Sequence, residues 1–131
     1  MYKDSRISLV IPARNEERLI RPTLESVPEI IDRIYVVDDG SQDKTKDVVL
    51  DCARSDDRVR LISHENNQGV GAAIITGYRQ SSVDGFDVAV VVGGDNQMPL
   101  EMVDELIEPV INGRADYTKG NRFLMPQRGL D

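Results

Sequence analysis

The feature that most constrains this chain is a regular alternation of short apolar runs with stretches of helical periodicity. The runs are continuous rather than alternating, as in strands that are covered on both faces. Strands that alternate with helices form parallel sheets with right-handed crossovers. We therefore predict an α/β fold with an open, doubly wound, mostly parallel sheet and helices on both faces. The predicted strands are 7–11, 34–37, 59–62, 86–92 and 116–123, and the predicted helices are 16–27, 43–53, 69–81 and 99–111.

The length of 131 residues is close to the common size of one domain. We assign residues 1–123 to one α/β domain. Residues 124–131 show no predicted element and are interpreted as a tail or a cut end. The longest apolar run, 88–92, is far shorter than the ~18–20 residues of a membrane helix, so no membrane segment is predicted in this chain.

Charge and cysteine content exclude several classes of protein. The 16 Lys and Arg residues against 23 Asp and Glu residues give a net charge of −7. This balance argues against a nucleic-acid binder or a general binder of anionic membranes, because both need a basic face. The single cysteine, Cys52, excludes an intrachain disulfide framework and a multi-cysteine metal site, and it favours a reducing compartment such as the cytoplasm.

Polar clusters follow three of the predicted strands, at the point where each strand ends. They are Pro12-Ala13-Arg14-Asn15-Glu16, Asp38-Asp39-Gly40-Ser41 and Gly93-Gly94-Asp95-Asn96-Gln97. Ligands of open α/β sheets bind beyond the carboxyl ends of the strands. If the first strand lies between the second and the fourth, the three clusters line one crevice. Their carboxylates suit hydrogen bonds from a base or ribose, or a hard divalent cation that bridges phosphates.

Each of these features also has a purely structural interpretation. An Asp-Gly-Ser sequence after a strand is often a turn followed by a helix cap. Gly69-Val70-Gly71 does not follow the first strand and lacks a third glycine, so it favours close helix packing or a helix start near a ligand over a dinucleotide fingerprint. His64, the only histidine, is predicted to be a surface residue beside a turn.

Three segments, in this order, resemble the start of a family 2 glycosyltransferase. They are residues 7–16 (ISLVIPARNE), 36–41 (VVDDGS) and 67–73 (NQGVGAA). The resemblance extends from about Ser8 to Phe123 and is greatest to the dolichyl-phosphate mannosyltransferase/glucosyltransferase-like branch. It implies the GT-A fold, a Rossmann-like domain that binds nucleotide-diphosphate sugars.

The resemblance also implies roles for individual residues. The nucleotide would be bound by Pro12, Ala13, Arg14, Glu16, Asp38, Asp39, Gly71 and Gly94. The family's Asp-X-Asp motif falls at Gly93-Gly94-Asp95, where Gly93 replaces the first aspartate. Asp95 would be the catalytic residue and, with Gln97, would hold Mg²⁺ or Mn²⁺. Arg122 would face an acceptor phosphate.

The implied reaction is transfer of a sugar from a nucleotide-diphosphate sugar, with inversion, to a polyprenyl phosphate or a glycan. The chain would be the donor-binding part of a longer enzyme whose other regions reach the cytoplasmic face of a membrane. Two alternatives remain open. Gly93 is compatible with a catalytically degenerate domain that binds nucleotide sugars. A nucleotidyltransferase would normally carry a glycine-rich basic loop after the first strand, and residues 12–16 contain no glycine.

Overall fold

A sheet of five strands forms the centre of the part of the chain that the structure describes. The computed structural model describes residues 5–93 and the backbone of residues 123–126. The strands are β1 (Ile7–Ala13), β2 (Arg33–Asp39), β3 (Val59–His64), β4 (Val88–Val91) and β5 (Phe123–Pro126). The helices are α1 (Ile20–Glu25), α2 (Thr45–Ser55) and α3 (Val70–Val83).

The strand order is β3-β2-β1-β4-β5. Strands β1 to β4 are parallel to one another, and β5 pairs with β4 in antiparallel fashion. The prediction of an open, mostly parallel α/β sheet is therefore confirmed. The first strand does lie between the second and the fourth, which is the condition for a single crevice at their carboxyl ends.

Side chains of the central strands are buried on both faces of the sheet. Ile7, Leu9 and Ile11 of β1 belong to one apolar cluster together with residues of α1 and α2. Val10 belongs to a second cluster on the opposite face, which contains Ala73 of α3. Burial of each such side chain contributes roughly 1.5–3 kcal/mol. This double burial explains why the strands read as continuous apolar runs.

Helix α3 lies unusually close to the sheet at Gly77. A methyl group at this position would overlap the side chain of Val10 and lie 3.2 Å from Cγ2 of Val37. The absence of a side chain therefore sets the distance between α3 and the two central strands.

The first helix is shorter than the spacing of apolar residues predicts. It begins at Ile20 rather than at residue 16. The backbone N–H groups of Glu16 and Glu17 instead donate to Thr45 Oγ1, at 2.8 Å, and to Asp43 Oδ2, at 3.3 Å. These bonds tie residues 16–19 to the start of α2 and hold them in turns.

The last strand also differs from its prediction. It occupies Phe123–Pro126. Residues 124–126, which were interpreted as part of a tail or a cut end, therefore belong to a strand of the sheet. A four-residue antiparallel strand that ends in proline has little sequence signal, because its stability comes from pairing with distant β4. The rest of the predicted strand 116–122 and the predicted helix 99–111 lie outside the described residues.

Alanine at Gly77 should destabilise the fold, whereas alanine at Gly71 should not. The first substitution overpacks the interface between α3 and the sheet, and we expect it to lower the free energy of unfolding by about 1–3 kcal/mol. Gly71 lies in the same helix with nothing within 4 Å of an added Cβ, so alanine should raise the free energy of unfolding by about 0.5–1 kcal/mol. Urea denaturation measures both values. Equal effects at the two positions would contradict the proposed contact.

Candidate functional site

A cavity of about 410 Å³ opens at the carboxyl ends of the parallel strands. Its lining comes from the end of β1, the end of β2, the loop before α3, the first turns of α3 and the residues after β4. The lining residues are Pro12, Ala13, Arg14, Glu16, Asp39, Asn67, Gly69, Val70, Ala73 and Gly93. The sequence clusters after the first, second and fourth strands therefore all contribute to one site.

The end of β1 forms one wall of the cavity. Val10 accepts a hydrogen bond from the N–H of Val92, so alternate residues of β1 point their backbone groups towards β4. Pro12 has the same orientation but lies beyond the last paired residue of β4, Val91, where its missing N–H leaves no ladder bond unmade. Beyond Val91, β1 and β4 are no longer paired as strands, and the cavity begins there.

Arg14 places a positive charge at the mouth of this cavity. Its side chain is exposed, and it has no partner among the described residues. Glu16, also at the wall, is half-buried. The guanidinium can therefore bind an anionic group of a ligand without first breaking an internal ion pair.

The two adjacent aspartates of β2 point to opposite faces of the sheet. Asp38 follows Ile34 and Val36 on the face of α1 and α2, as strand alternation requires. Its carboxylate is fully buried, and Oδ2 accepts the N–H of Ser41 at 3.2 Å, while Oδ1 has no partner among the described residues. Asp38 does not line the cavity. Of the two candidate acceptors for the base, only Asp39 does so.

The carboxylate of Asp39 accepts three hydrogen bonds, one from the last residue of β3 and two from the loop that leads into α3. Oδ1 accepts from His64 Nδ1 at 2.9 Å and from the N–H of Gln68 at 2.8 Å, and Oδ2 accepts from the N–H of Gly69 at 2.8 Å. Burial alone would raise the pKa of Asp39. The hydrogen bonds from Gln68, His64 and Gly69 outweigh it and lower that pKa below its ordinary value. Asp39 is therefore an ionised, oriented acceptor at neutral pH.

His64 is not the surface residue that the sequence suggested. Only 9% of its side chain is exposed. Its Nε2 lies 2.9 Å from Thr76 Oγ1 on α3, while its Nδ1 faces Asp39. Arg60 has the same parity as His64 in β3 but is exposed, so alternation along this strand could not place the histidine.

A close backbone contact joins the two loops around the cavity. Gly40 has a φ of +72°, and a Cβ there would lie 2.7 Å from the nitrogen of Asn67. The turn after β2 and the loop after β3 therefore touch backbone to backbone. Glycine is required at this position for both its conformation and its lack of a side chain.

The sequence motif 67–73 contributes more of the cavity than predicted. Gly71, the residue chosen from it, is in α3 but does not line the cavity. Gly69 and Val70, at the start of α3, do line it, as does Ala73, which lies one helical turn further along. The spacing of these three residues is the signal that could have identified them.

The remaining candidate residues, Gly94, Asp95, Gln97 and Arg122, lie outside the described residues. Within residues 5–93 and 123–126, no group of three or more His, Cys, Asp or Glu side chains could hold a metal ion. Gly93 lines the cavity, so the described chain leads from the cavity wall directly into the segment that carries Asp95. In the same described ranges no helix has both the length and the apolar character needed to cross a membrane.

Comparisons with known proteins agree with this architecture. Residues 8–128 match the family model described as glycosyl transferase family 2. The UDP-N-acetylglucosamine–dolichyl-phosphate N-acetylglucosaminyltransferase of Methanococcus voltae is 33% identical over 95% of this chain and 55% of its own length. The chain thus spans about half the length of this relative.

Two solved structures have the same fold. The glucosyl-3-phosphoglycerate synthase of Mycobacterium tuberculosis, in complex with Mn²⁺, UDP and glucosyl-3-phosphoglycerate, superposes with a TM-score of 0.64 and 26% identity over 82% of this chain and 40% of that chain. A mannosyltransferase of Pyrobaculum calidifontis in complex with GDP-Man and Mn²⁺ gives a TM-score of 0.65 and 22% identity over 75% of this chain and 30% of that chain. The strand order, the cavity at the carboxyl ends of the strands and the family match lead to one conclusion: this chain belongs to glycosyltransferase family 2 and has the GT-A fold.

Proposed function

We propose that this chain forms the donor-binding part of an enzyme that transfers a sugar, with inversion, from a nucleotide-diphosphate sugar. The observation that carries the proposal is the cavity at the carboxyl ends of β1, β2 and β4. It combines an oriented carboxylate, Asp39, with an exposed cation, Arg14. Two members of the same fold were crystallised with UDP or GDP-Man, which supports a nucleotide diphosphate as the ligand.

In this proposal the base and ribose lie against the buried end of β1. Pro12 and Ala13 present apolar surface to the planar base, and Asp39 accepts a hydrogen bond from one of its N–H groups. Arg14 and the first turn of α3 provide the positive potential that a diphosphate needs. Glu16 lines the side of the cavity that we assign to the ribose. We assign Asp38 to the fold of the β2 turn rather than to the nucleotide.

The proposed metal ligands are Asp95 and Gln97, with Gly94 allowing close approach of the diphosphate. A carboxylate and an amide oxygen suit Mg²⁺ or Mn²⁺, which keep several waters and few protein ligands. The Mn²⁺ in the two related structures supports a divalent ion. When bound, the ion would act as a Lewis acid on the departing diphosphate. Asp95 would hold that ion, which is the sense in which we name it catalytic.

The proposed acceptor is a polyprenyl phosphate, which the name of the Methanococcus relative supports. A phosphate oxygen is already anionic and needs no general base to attack the sugar. We assign Arg122 to the acceptor phosphate. It immediately precedes Phe123, which pairs with Val91 at the cavity end of β4. An acceptor of this kind is held in a membrane, so the reaction would take place at a membrane surface.

A second candidate function is binding without turnover. The observation that favours it is Gly93, which lines the cavity where the family motif has its first aspartate. Loss of this carboxylate removes a ribose contact or a metal contact. A chain of this type would bind a nucleotide sugar and leave it intact.

Calorimetry with nucleotide diphosphates tests the proposed donor site. We expect UDP or GDP to bind in the presence of Mn²⁺ and to bind at least about tenfold more weakly without it, since the metal offsets repulsion between the diphosphate and nearby carboxylates. Asp95→Asn should remove the Mn²⁺ dependence. Absence of binding to every nucleotide diphosphate would refute the proposal, and binding by a longer chain that never releases sugar would favour the second candidate.

Substitution of Arg14 tests the assignment of the diphosphate. Arg14→Ala should weaken UDP or GDP binding by about tenfold or more, because it removes a charge-assisted contact. Arg54→Ala is the matched control, since Arg54 is a highly exposed residue of α2, on the opposite face of the sheet from α3. The dissociation constants are compared at one fixed ionic strength. Equal losses in the two variants would mean that only net charge matters.

A further inference from the structure

His64 joins three elements at the edge of the cavity. It ends β3, and in the register of the sheet it lies directly beside Asp39 at the end of β2. Its second ring nitrogen reaches Thr76 on α3. Although His64 itself does not line the cavity, one of its two partners does.

The contact with Asp39 determines the tautomer of the neutral imidazole. An ionised carboxylate can only accept, so Nδ1 must carry the proton that is donated to Asp39. In the neutral ring Nε2 is then an acceptor, and the hydroxyl of Thr76 donates to it. The hydroxyl of Thr76 thereby holds the tautomer that Asp39 requires.

This arrangement fixes how much of Asp39 is open to a ligand. A carboxylate has about four acceptor positions, two on each oxygen. His64 and the N–H of Gln68 occupy Oδ1, and the N–H of Gly69 occupies one position of Oδ2. One acceptor position on Oδ2 therefore remains for the ligand in the cavity.

We propose that His64 and Thr76 are positioning residues for nucleotide binding, which act through Asp39 and touch no ligand themselves. The pair holds the carboxylate so that Oδ2 faces the cavity with a single acceptor position. It also keeps Gln68 and Gly69 in place at the start of α3. This inference rests on the proposed function, because it takes the ligand of Asp39 to be a nucleotide.

Thr76 gives the sharpest test, because it is half-buried and can be altered without opening the core. Thr76→Val keeps the shape and removes the hydroxyl, and it should weaken UDP or GDP binding by about three- to tenfold. Thr76→Ser keeps the hydroxyl and should bind close to the unmodified protein. His64→Leu should lose at least as much affinity as Thr76→Val. His64→Gln, which retains one donor and one acceptor, should recover part of it.

A purely structural role for the pair would lower stability without a specific effect on affinity. Tyr35→Phe serves as the control, because it removes the hydroxyl that donates to Asp84 on the same face of the sheet but away from the cavity. Calorimetry and urea denaturation are carried out on the same samples. If Tyr35→Phe and Thr76→Val lose equal affinity at equal loss of stability, the positioning role is refuted.

The single histidine provides an independent measurement. Ring ¹⁵N spectra at a pH where the imidazole is neutral should give the Nδ1–H tautomer for the unmodified protein and for Thr76→Ser. An Nε2–H tautomer in the unmodified protein would overturn the proposal without any nucleotide. If the unmodified protein binds neither UDP nor GDP, the proposed function fails, whereas unchanged affinity in Thr76→Val and His64→Leu refutes only the positioning role.

Discussion

The site depends most on the hydrogen bonds that the Asp39 carboxylate accepts. A buried carboxylate without donors would cost several kcal/mol, so this one is tolerated because three donors surround it. Two of the donors are backbone N–H groups at the start of α3, and the third belongs to the last residue of β3. One side chain therefore joins β2, β3 and α3 at the point where the cavity forms. The close contact of Gly77 with Val10 holds the rest of α3 against the same strands.

Much of the fold could be predicted from the sequence, because its strongest signals are local. Double burial makes β1, β2 and β4 continuous apolar runs, and the polar residues that interrupt them mark the edge where ligands bind. The wall formed by Pro12, Ala13 and Arg14 follows from that reasoning. The antiparallel β5 does not, because its four residues carry no pattern of their own and depend on pairing with β4.

The roles of Asp38 and Asp39 could not be separated from the sequence, and the reason is physical. Alternation along a strand reveals direction only when one face is polar. Strand β2 has apolar residues of both parities, with Val36 on one face and Val37 on the other. Which aspartate faces the cavity is decided by the position of α3, which is a tertiary property. The burial of His64 was missed for the same reason, since both of its partners are distant in sequence.

The antiparallel pairing of β4 with β5 has a consequence for how this protein can diverge. The chain leaves the sheet after Val91 and returns beside it at Phe123, so the two ends of the segment 94–122 are fixed to each other by a pair of strands. The pairing of β1, β2 and β3 involves no residue of that segment, so we expect changes within it to leave the register around Asp39 and Pro12 unaltered. By this reasoning, the residues that we propose for the metal and the acceptor can vary independently of those that we propose for the nucleotide. We expect a change of acceptor preference, in nature or by design, to leave the geometry of the proposed nucleotide site intact.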